Sequence, residues 1–384
     1  MNVLILGVDG YLGWPLAQWL AAAGHTVCGV DNFLRRKAVQ EMGSISAIPI
    51  ADWADRASAF EACYSRPITF YETSLLDYER LVAILGEMVP DAIVHLGEIP
   101  SAAYSMRDAE HAALTQHNNV IGSLNLLWAM RAACPDAHLL KLGTMGEYGT
   151  PNIAIPEGFF EVEFRGRKDI LPFPRQAGSI YHLSKVHDSH NALFAAKTWG
   201  LRITDVMQGV VYGTRTDRTP PDERFATRLD FDECFGTAIN RFVCQAVIDC
   251  PLTIYGSGSQ TRGFLPLSDS LRCLELALLN PPNRGEYRVF NQFEYTYSIS
   301  ALADVVKQEA TALGMPAQIE HLANPRSECE EHFYQPDREH LVRLGYEPHD
   351  HLTQVVRGML EDVRVHRSRI EPYAQNMRPS IQWS

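Results

Sequence analysis

A doubly wound α/β fold built on a parallel sheet is the class this sequence predicts, and three observations predict it. Short apolar runs alternate with amphipathic stretches through the first half of the chain, the alternation that parallel strands and helical crossovers require. Those apolar runs are nearly continuous rather than alternating, as strands covered on both faces read. The first of them leads straight into a glycine-rich turn at Gly7, Gly10 and Gly13. Together these predict a Rossmann-type sheet with a smaller C-terminal substrate-binding lobe.

NVLILG, HTVCGVD, AIVHLG and HLLKLGT read as the buried strands in order, with PLAQWLAAAG, DYERLVAILGEM and NVIGSLNLLWAMRAAC as helices between them. RITDVMQGVVYG adds a strand after the helical SIYHLSKVHDSHN. Beyond residue 213 the pattern loosens: TRTDRTPPDERF is polar and proline-bearing, hence a loop. A helix (CFGTAINRFVCQAVID), a strand (LTIYG) and helical stretches near 266–280, 298–314 and 350–366 follow. We therefore expect a Rossmann-type NAD-binding domain over 1–212, with 151–180 as a lid loop. The remainder, 213–384, is expected to be mostly the substrate-binding lobe, with 236–257 returning to the sheet.

Bulk properties exclude several classes. The formal charge of −12 argues against a nucleic-acid binder, which needs clustered Lys and Arg. No apolar run approaches the ~20 residues that span a bilayer. Eight scattered cysteines without C-x-x-C pairs point to reduced thiols and a cytoplasmic protein. A strand that begins at residue 2 leaves no room for a leader peptide, so none is expected.

The glycine turn lies between a strand and a helix, where a pyrophosphate approaches the helix N-terminus. Its G-x-x-G-x-x-G spacing points to the short-chain dehydrogenase/reductase superfamily. Asp31 ends the second strand, where a carboxylate binds ribose hydroxyls and repels a 2′-phosphate, favouring NAD over NADP. Arg35 and Arg36 follow, placed to stack on adenine or to meet a phosphate. Tyr181 and Lys185, four apart, share one helix face. There the ammonium lowers the phenol pKa, and the phenol exchanges a proton with a substrate hydroxyl. Thr144, at a strand end, offers a hydroxyl to the same oxygen; its structural alternative is a strand-end cap. Sugar 4,6-dehydratases place an Asp-Glu pair after this hydroxyl residue, but here Met145 and Gly146 follow, with Glu147 one step on. His182 is a titratable group beside Tyr181, either catalytic or a satisfied helix histidine. The spacing of His182, His187 and His190 does not put all three on one face, so no metal is expected.

The strings TQHNNVIG, KLGTMGEYGTPNI, YHLSKVHDSHN, QGVVYG, GSQTRGFL, RVFNQF and NPRSECEEHFY resemble the UDP-sulfoquinovose synthase branch of the extended short-chain dehydrogenases, and the similarity runs on to PSIQW. The resemblance implies tightly held NAD and a nucleotide-sugar substrate. It also implies a reaction in which C4 is oxidised, water is lost across C5–C6, sulfite adds at C6 and the ketone is reduced again. Carried onto this chain, Thr144, Tyr181 and Lys185 are the catalytic trio, with Met145, Glu147 and His182 nearby. Gly7, Asp9, Gly10, Tyr11, Leu12, Gly13, Asp31, Asn32, Arg35, Arg36, Leu96, Gly97, Asn119, Gln208 and Val211 are the expected cofactor contacts, with Asn118 beside the nicotinamide. Ser101, Tyr104, Gln208, Arg262 and Arg326 are expected on the substrate, the two arginines at its pyrophosphate. A homodimer is expected.

Three departures stand out. The family pattern G-E-Q-R-S-A-P-Y-S-M is here GEIPSAAYSM, so Ile99 and Pro100 replace a Gln-Arg pair. Thr73-Ser74 replaces a Gly-Asp near the adenine, and Met207 stands where the family has Asn. An arginine beside C6 is the natural partner of incoming sulfite, and Ile-Pro cannot serve. The expected function is therefore NAD-dependent transient oxidation and C5–C6 water elimination on a nucleotide sugar or nucleoside, with sulfite addition in doubt. A genuine UDP-sulfoquinovose synthase using UDP-glucose and sulfite, a nucleotide-sugar 4-epimerase, and a non-catalytic NAD-binding regulator are the alternatives.

Overall fold

A computed structural model describes residues 1–325 and 333–381. Its centre is a seven-stranded sheet of β1 (Asn2–Leu6), β2 (Thr26–Asp31), β3 (Thr69–Glu72), β4 (Ala92–His95), β5 (His138–Thr144), β6 (Arg202–Gln208) and β7 (Tyr287–Gln292). The order across the sheet is β7-β6-β5-β4-β1-β2-β3, and every pairing is parallel. The order reverses between β1 and β4, where Val3 lies beside both Val27 and Ala92. Ligands of open α/β sheets sit outside the strand C-termini at such a switch point.

The expected buried strands are all present. Val3, Leu4, Ile5 and Leu6 of β1, and Ile93 and Val94 of β4, have no solvent exposure. Helix α1 (Gly13–Ala22) packs Trp14, Leu16, Trp19 and Leu20 into the core on one side of the sheet. Helices Tyr78–Met88 and Gly122–Ala133 cover the other with Leu81, Ile84, Leu126 and Met130. The edge strand β3 and the helix Trp53–Tyr64 had no clear sequence signal. β3 is four residues long, and none of them is fully buried, so it lacks the continuous apolar run that marks β1 and β4.

The second lobe corrects one expectation. Residues 236–257 do not return to the main sheet: Leu252–Tyr255 pairs with Ile319–Leu322 instead. The strand that returns is β7, beside β6 from Tyr287↔Ile203 to Gln292↔Gln208. The cause is packing. Helix Ala238–Val247 buries Ile239, Phe242 and Val243 against Leu302, Val306, Val356 and Leu360 of the C-terminal helices, carrying the following strand away. Val210–Tyr212, Thr261–Pro266 and Tyr295–Ser298 form a separate three-stranded sheet.

The 151–180 segment is not a lid over the cavity described below, and none of its residues lines that cavity. It forms an antiparallel hairpin, Phe159–Phe164 with Arg167–Pro172, turned at Arg165 and Gly166 with positive φ at both. The hairpin is drawn aside by Phe159, Phe160 and Phe173, which pack with Tyr148, Met207 and Val289. Backbone bonds between Ile155 and Gln335 and between Asp337 and Ile155 pin its base.

No helix among the described residues is long and apolar enough to cross a membrane.

Candidate active site

The strand C-termini surround a cavity of about 290 Å³. Its floor is the turn after β1. Gly7 has φ +85°, and a side chain at Gly7 would strike the backbone of Leu96 and Gly97, while one at Gly13 would strike Gly7. Only glycine permits this close approach. The turn leads into α1, whose N-terminal amides suit a pyrophosphate. Tyr11, Leu12, Asn32, Leu96, Gly97 and Val211 also line the cavity, as expected of cofactor contacts.

Asp31 lines the same cavity at the end of β2. Its carboxylate accepts from the backbone amides of Asp9 and Phe33, both at 2.8 Å. Burial and the neighbouring Asp9 raise its pKa to about 6. A glycine cradle followed by a carboxylate at the next strand end fits NAD, with Asp31 at the adenosine ribose and the turn at the pyrophosphate.

Three expected cofactor contacts lie outside the lining, Asp9, Arg36 and Asn119. Asp9 is buried outside the cavity lining, gripped by Arg36 at 2.7 Å and by Arg56 at 2.8 Å. Arg36 is thus spent on the turn's own scaffold. Arg35 does line the cavity, paired with Asp230 at 2.7 Å and lying 3.9 Å over the Phe235 ring.

At the other end, Thr144 ends β5, and Tyr181 and Lys185 stand on successive turns of helix α3 (Ile180–Trp199). The Ser179 hydroxyl caps α3 by accepting from His182 N at 3.1 Å. Of the six expected catalytic residues, Thr144, Tyr181 and Lys185 line the cavity, together with Gln208, Asn118, Ile99 and Pro100, and Met145, Glu147 and His182 do not. Burial raises the Tyr181 phenol above its ordinary pKa, and Glu98 and Glu147 push the same way. Lys141 and a hydrogen bond with Thr144 oppose them only in part.

The sequence argument had Lys185 lowering that phenol. Here the Lys185 ammonium lies 2.6 Å from Glu98 Oε2 and donates to Leu142 O at 2.6 Å. Burial would lift the Glu98 carboxyl, but Lys185, with His95 and Lys141 behind it, holds it below the usual carboxylate range. Glu98, which lines the cavity against Lys185, is a candidate that sequence reading missed. It sits inside the GEIP string, yet nothing local shows that it turns under Lys185.

Several other expected residues are placed around the site rather than in the lining. Glu147 has no exposure; its carboxylate meets Arg175 at 3.0 Å, accepts from Ser189 at 2.9 Å and accepts from Thr144 N at 3.2 Å. It braces Thr144 from below. Met145 is buried beside Tyr148. His182 packs over Gly146, where no side chain would fit, and against the Tyr181 ring. Asn119 spends its amide on both backbone groups of Ile99 and on Ser184 Oγ, within a π-helical turn at His117–Ile121, a distortion frequent at functional sites.

Ser101 and Tyr104 do not reach the cavity: Ser101 donates to Cys234 O and Tyr104 to Glu41. Arg262 is outside the lining as well, and Arg326 lies outside the described residues. Of the three departures, Thr73 and the Ile99-Pro100 pair line the cavity, whereas Met207 is packed away near Arg175. Residues with no sequence signal complete the wall: Arg228, Asp230, Phe235, Thr237 and Asn240, all from the segment before and within helix Ala238–Val247. No cluster of His, Cys, Asp or Glu among the described residues is placed to hold a metal ion.

The sequence profile of the NAD dependent epimerase/dehydratase family matches residues 3–291. A UDP-sulfoquinovose synthase from Sulfolobus acidocaldarius is 44% identical over 384 residues, covering 100% of this chain and 98% of its own. The chloroplastic UDP-sulfoquinovose synthase of Spinacia oleracea is also 44% identical, over 382 residues, covering 100% of this chain and 79% of its own. Among solved structures, a Bacillus cereus UDP-glucuronic acid 4-epimerase superposes with a TM-score of 0.71 at 22% identity, over 95% of this chain and 99% of that one. That level of identity speaks for the fold. The switch-point cavity, the glycine cradle and the Thr144-Tyr181-Lys185 trio accord with the full-length identity, and the chain belongs to the NAD-dependent epimerase/dehydratase family, on its UDP-sulfoquinovose synthase-like branch.

Proposed function

We propose that this protein oxidises a nucleotide sugar at C4 transiently and eliminates water across C5–C6. The observation that carries the reading is one cavity holding both the glycine cradle and the trio of Thr144, Tyr181 and Lys185. Bound NAD would accept the C4 hydride and return it within the turnover. Tyr181 takes the proton of the C4 hydroxyl, Thr144 holds that oxygen, and Lys185 supplies positive charge beside the phenol. The resulting C4 ketone acidifies C5–H, so the C5 proton and the C6 hydroxide leave as water. Gln208 and Val211 line the wall, and Arg262 and Arg326 are the proposed pyrophosphate partners.

A genuine UDP-sulfoquinovose synthase is the second reading, favoured by the 44% identity to two proteins of that name. Against it stand Ile99 and Pro100 in the cavity wall, which offer no charge to sulfite. Arg35 and Arg228 line the same cavity, each already paired with the Asp230 carboxylate.

The deciding experiment incubates the protein with UDP-glucose in deuterated water, with and without sulfite, and follows products by mass spectrometry. Deuterium uptake or loss of water without sulfonate is the expected result. Efficient sulfonate formation would establish the second reading, an isobaric product a 4-epimerase, and an unchanged sugar with no deuterium would defeat both elimination readings.

We also propose a cytoplasmic homodimer, with residues 1–212 mainly binding cofactor and the later segments mainly binding substrate. Exposed Ile121 and Trp128 lie seven apart, and exposed Leu183 and Phe194 stand on the adjacent α3. Trp199 joins Trp128 and Phe194 in one aromatic cluster, with centroids 4.7 and 5.7 Å away. An apolar stripe of this kind on two neighbouring helices suits a second copy. Sedimentation should show a dimer that Phe194→Arg converts to monomer; a monomeric wild type would exclude it.

A further inference from the structure

Helix α2 (Leu34–Glu41) separates the cofactor cavity from a second, smaller one. Leu34, Arg35 and Ala38 face the first, whereas Arg36, Val39 and Gln40 face the second, the division expected of a helix with two functional sides. The second cavity measures about 150 Å³. Among the described residues three arginines line it, Arg36, Arg228 and Arg369, together with the hydroxyl residues Ser44 and Ser46, and no carboxylate does.

Arg36 is fully engaged, by Asp9, Ala51 O and Asp52, whereas Arg228 is only partly spent. Arg36 holds Asp9 through Nε and Nη2, and Arg228 holds Asp230 through Nε and Nη2. That leaves Arg228 Nη1, which is buried with no hydrogen-bond partner. Ser44 Oγ is likewise buried and unpartnered. Both residues are almost fully buried, at 2% and 3% exposure. Arg369 stands at the exposed mouth, with Nε donating to Ser46 O at 3.1 Å. Buried donors without partners are costly, and here two of them border a cavity of positive character.

We propose that this cavity binds a small inorganic oxyanion of the phosphate or sulfate class. Such an ion offers several acceptor oxygens at once. Arg228 Nη1 and Ser44 Oγ would each donate to one, and the Arg369 fork would close the mouth over another. The site does not depend on the reaction proposed above. It is nonetheless connected to the cofactor cavity, because Arg228 lines both.

The test uses the full-length protein with its cofactor bound, so that the pyrophosphate site is not available to the probe. Calorimetry and thermal denaturation are run with orthophosphate, sulfate and sulfite in separate arms, against chloride at matched ionic strength. Saturable binding of at least one oxyanion is expected, with a rise in melting temperature that chloride does not reproduce. Arg369→Gln, outside the cofactor cavity, should weaken that binding at least tenfold; Ser44→Ala, the second variant, should do the same should Arg369→Gln not fold. Responses no larger than chloride's, or wild-type binding by the folded variant, would overturn the site.

Discussion

At the scale of single residues, Tyr181 carries the sharpest expectation. Tyr181→Phe should lower turnover by roughly 10²–10⁴-fold, the usual loss for a positioned acid-base group, while bound NAD and melting temperature stay near wild type. Activity within a few-fold of wild type would remove Tyr181 from the mechanism. Glu98 offers a test with a sign. Its carboxylate lies against Lys185 and raises the Tyr181 phenol. Glu98→Gln removes that negative charge, so the phenol should ionise at lower pH and the acidic limb of the pH–rate profile should move down. The titratable groups in this buried patch include Lys141, Lys185, Glu147, Arg175, Asp188 and Asp205, with His95 behind Glu98 at 3.4 Å. A lower rate with an unmoved profile would mean that Glu98 only holds Lys185 in place.

At the scale of elements, the proposed role of the end of β2 in choosing the cofactor can be tested. Asp31 presents a carboxylate to the cavity wall, and a 2′-phosphate there would meet like charge. Heat-denatured protein should therefore release NAD, with NADP a minor species. Because burial raises Asp31 to about 6, the ionised form that accepts from ribose hydroxyls is lost below that pH. Dialysis at pH 5 should strip more NAD than dialysis at pH 8, and equal retention would assign the ribose to another group. The segment Arg228–Phe235 adds a second hold on this end of the cavity. It is pinned by Leu229 to Ser46 and Ala47, and by Asp230 to Arg35 and Arg228.

At the scale of the whole molecule, two buried histidines contribute to acid stability. Burial lowers His95 to about 4 and His138 to about 3, while unfolded histidine titrates near ~6.5. Their folded pKa values are depressed, so their contribution is fully present above about pH 6.5 and fades as the pH falls toward 4 and 3. Each unit of separation is worth about 1.4 kcal/mol. Asp31, Glu147, Glu157, Asp188, Asp232 and Asp269, each raised by burial, act in the opposite sense. The melting temperature should drop steeply below pH 6, and His138→Gln should flatten the drop; parallel profiles would place the acid lability elsewhere.

The sequence alone determined the parallel sheet and the cofactor class, and it picked out the candidate trio, because each is written in neighbouring residues. Apolar runs such as NVLILG are buried strands wherever they pack. Gly7, Gly10 and Gly13 make a tight turn by local sterics, and Tyr181 and Lys185 share a face by helix geometry. Only the tertiary structure decided what lies between distant segments. It placed Glu98 under Lys185, 87 positions away as their numbers show, and set Arg228 and Asp230 against a helix that begins at Leu34. It sent β7, rather than 236–257, back to the sheet and turned the 151–180 hairpin away from the cavity. Such pairings depend on which apolar faces meet and which charges are buried together, and no local pattern in the chain records either.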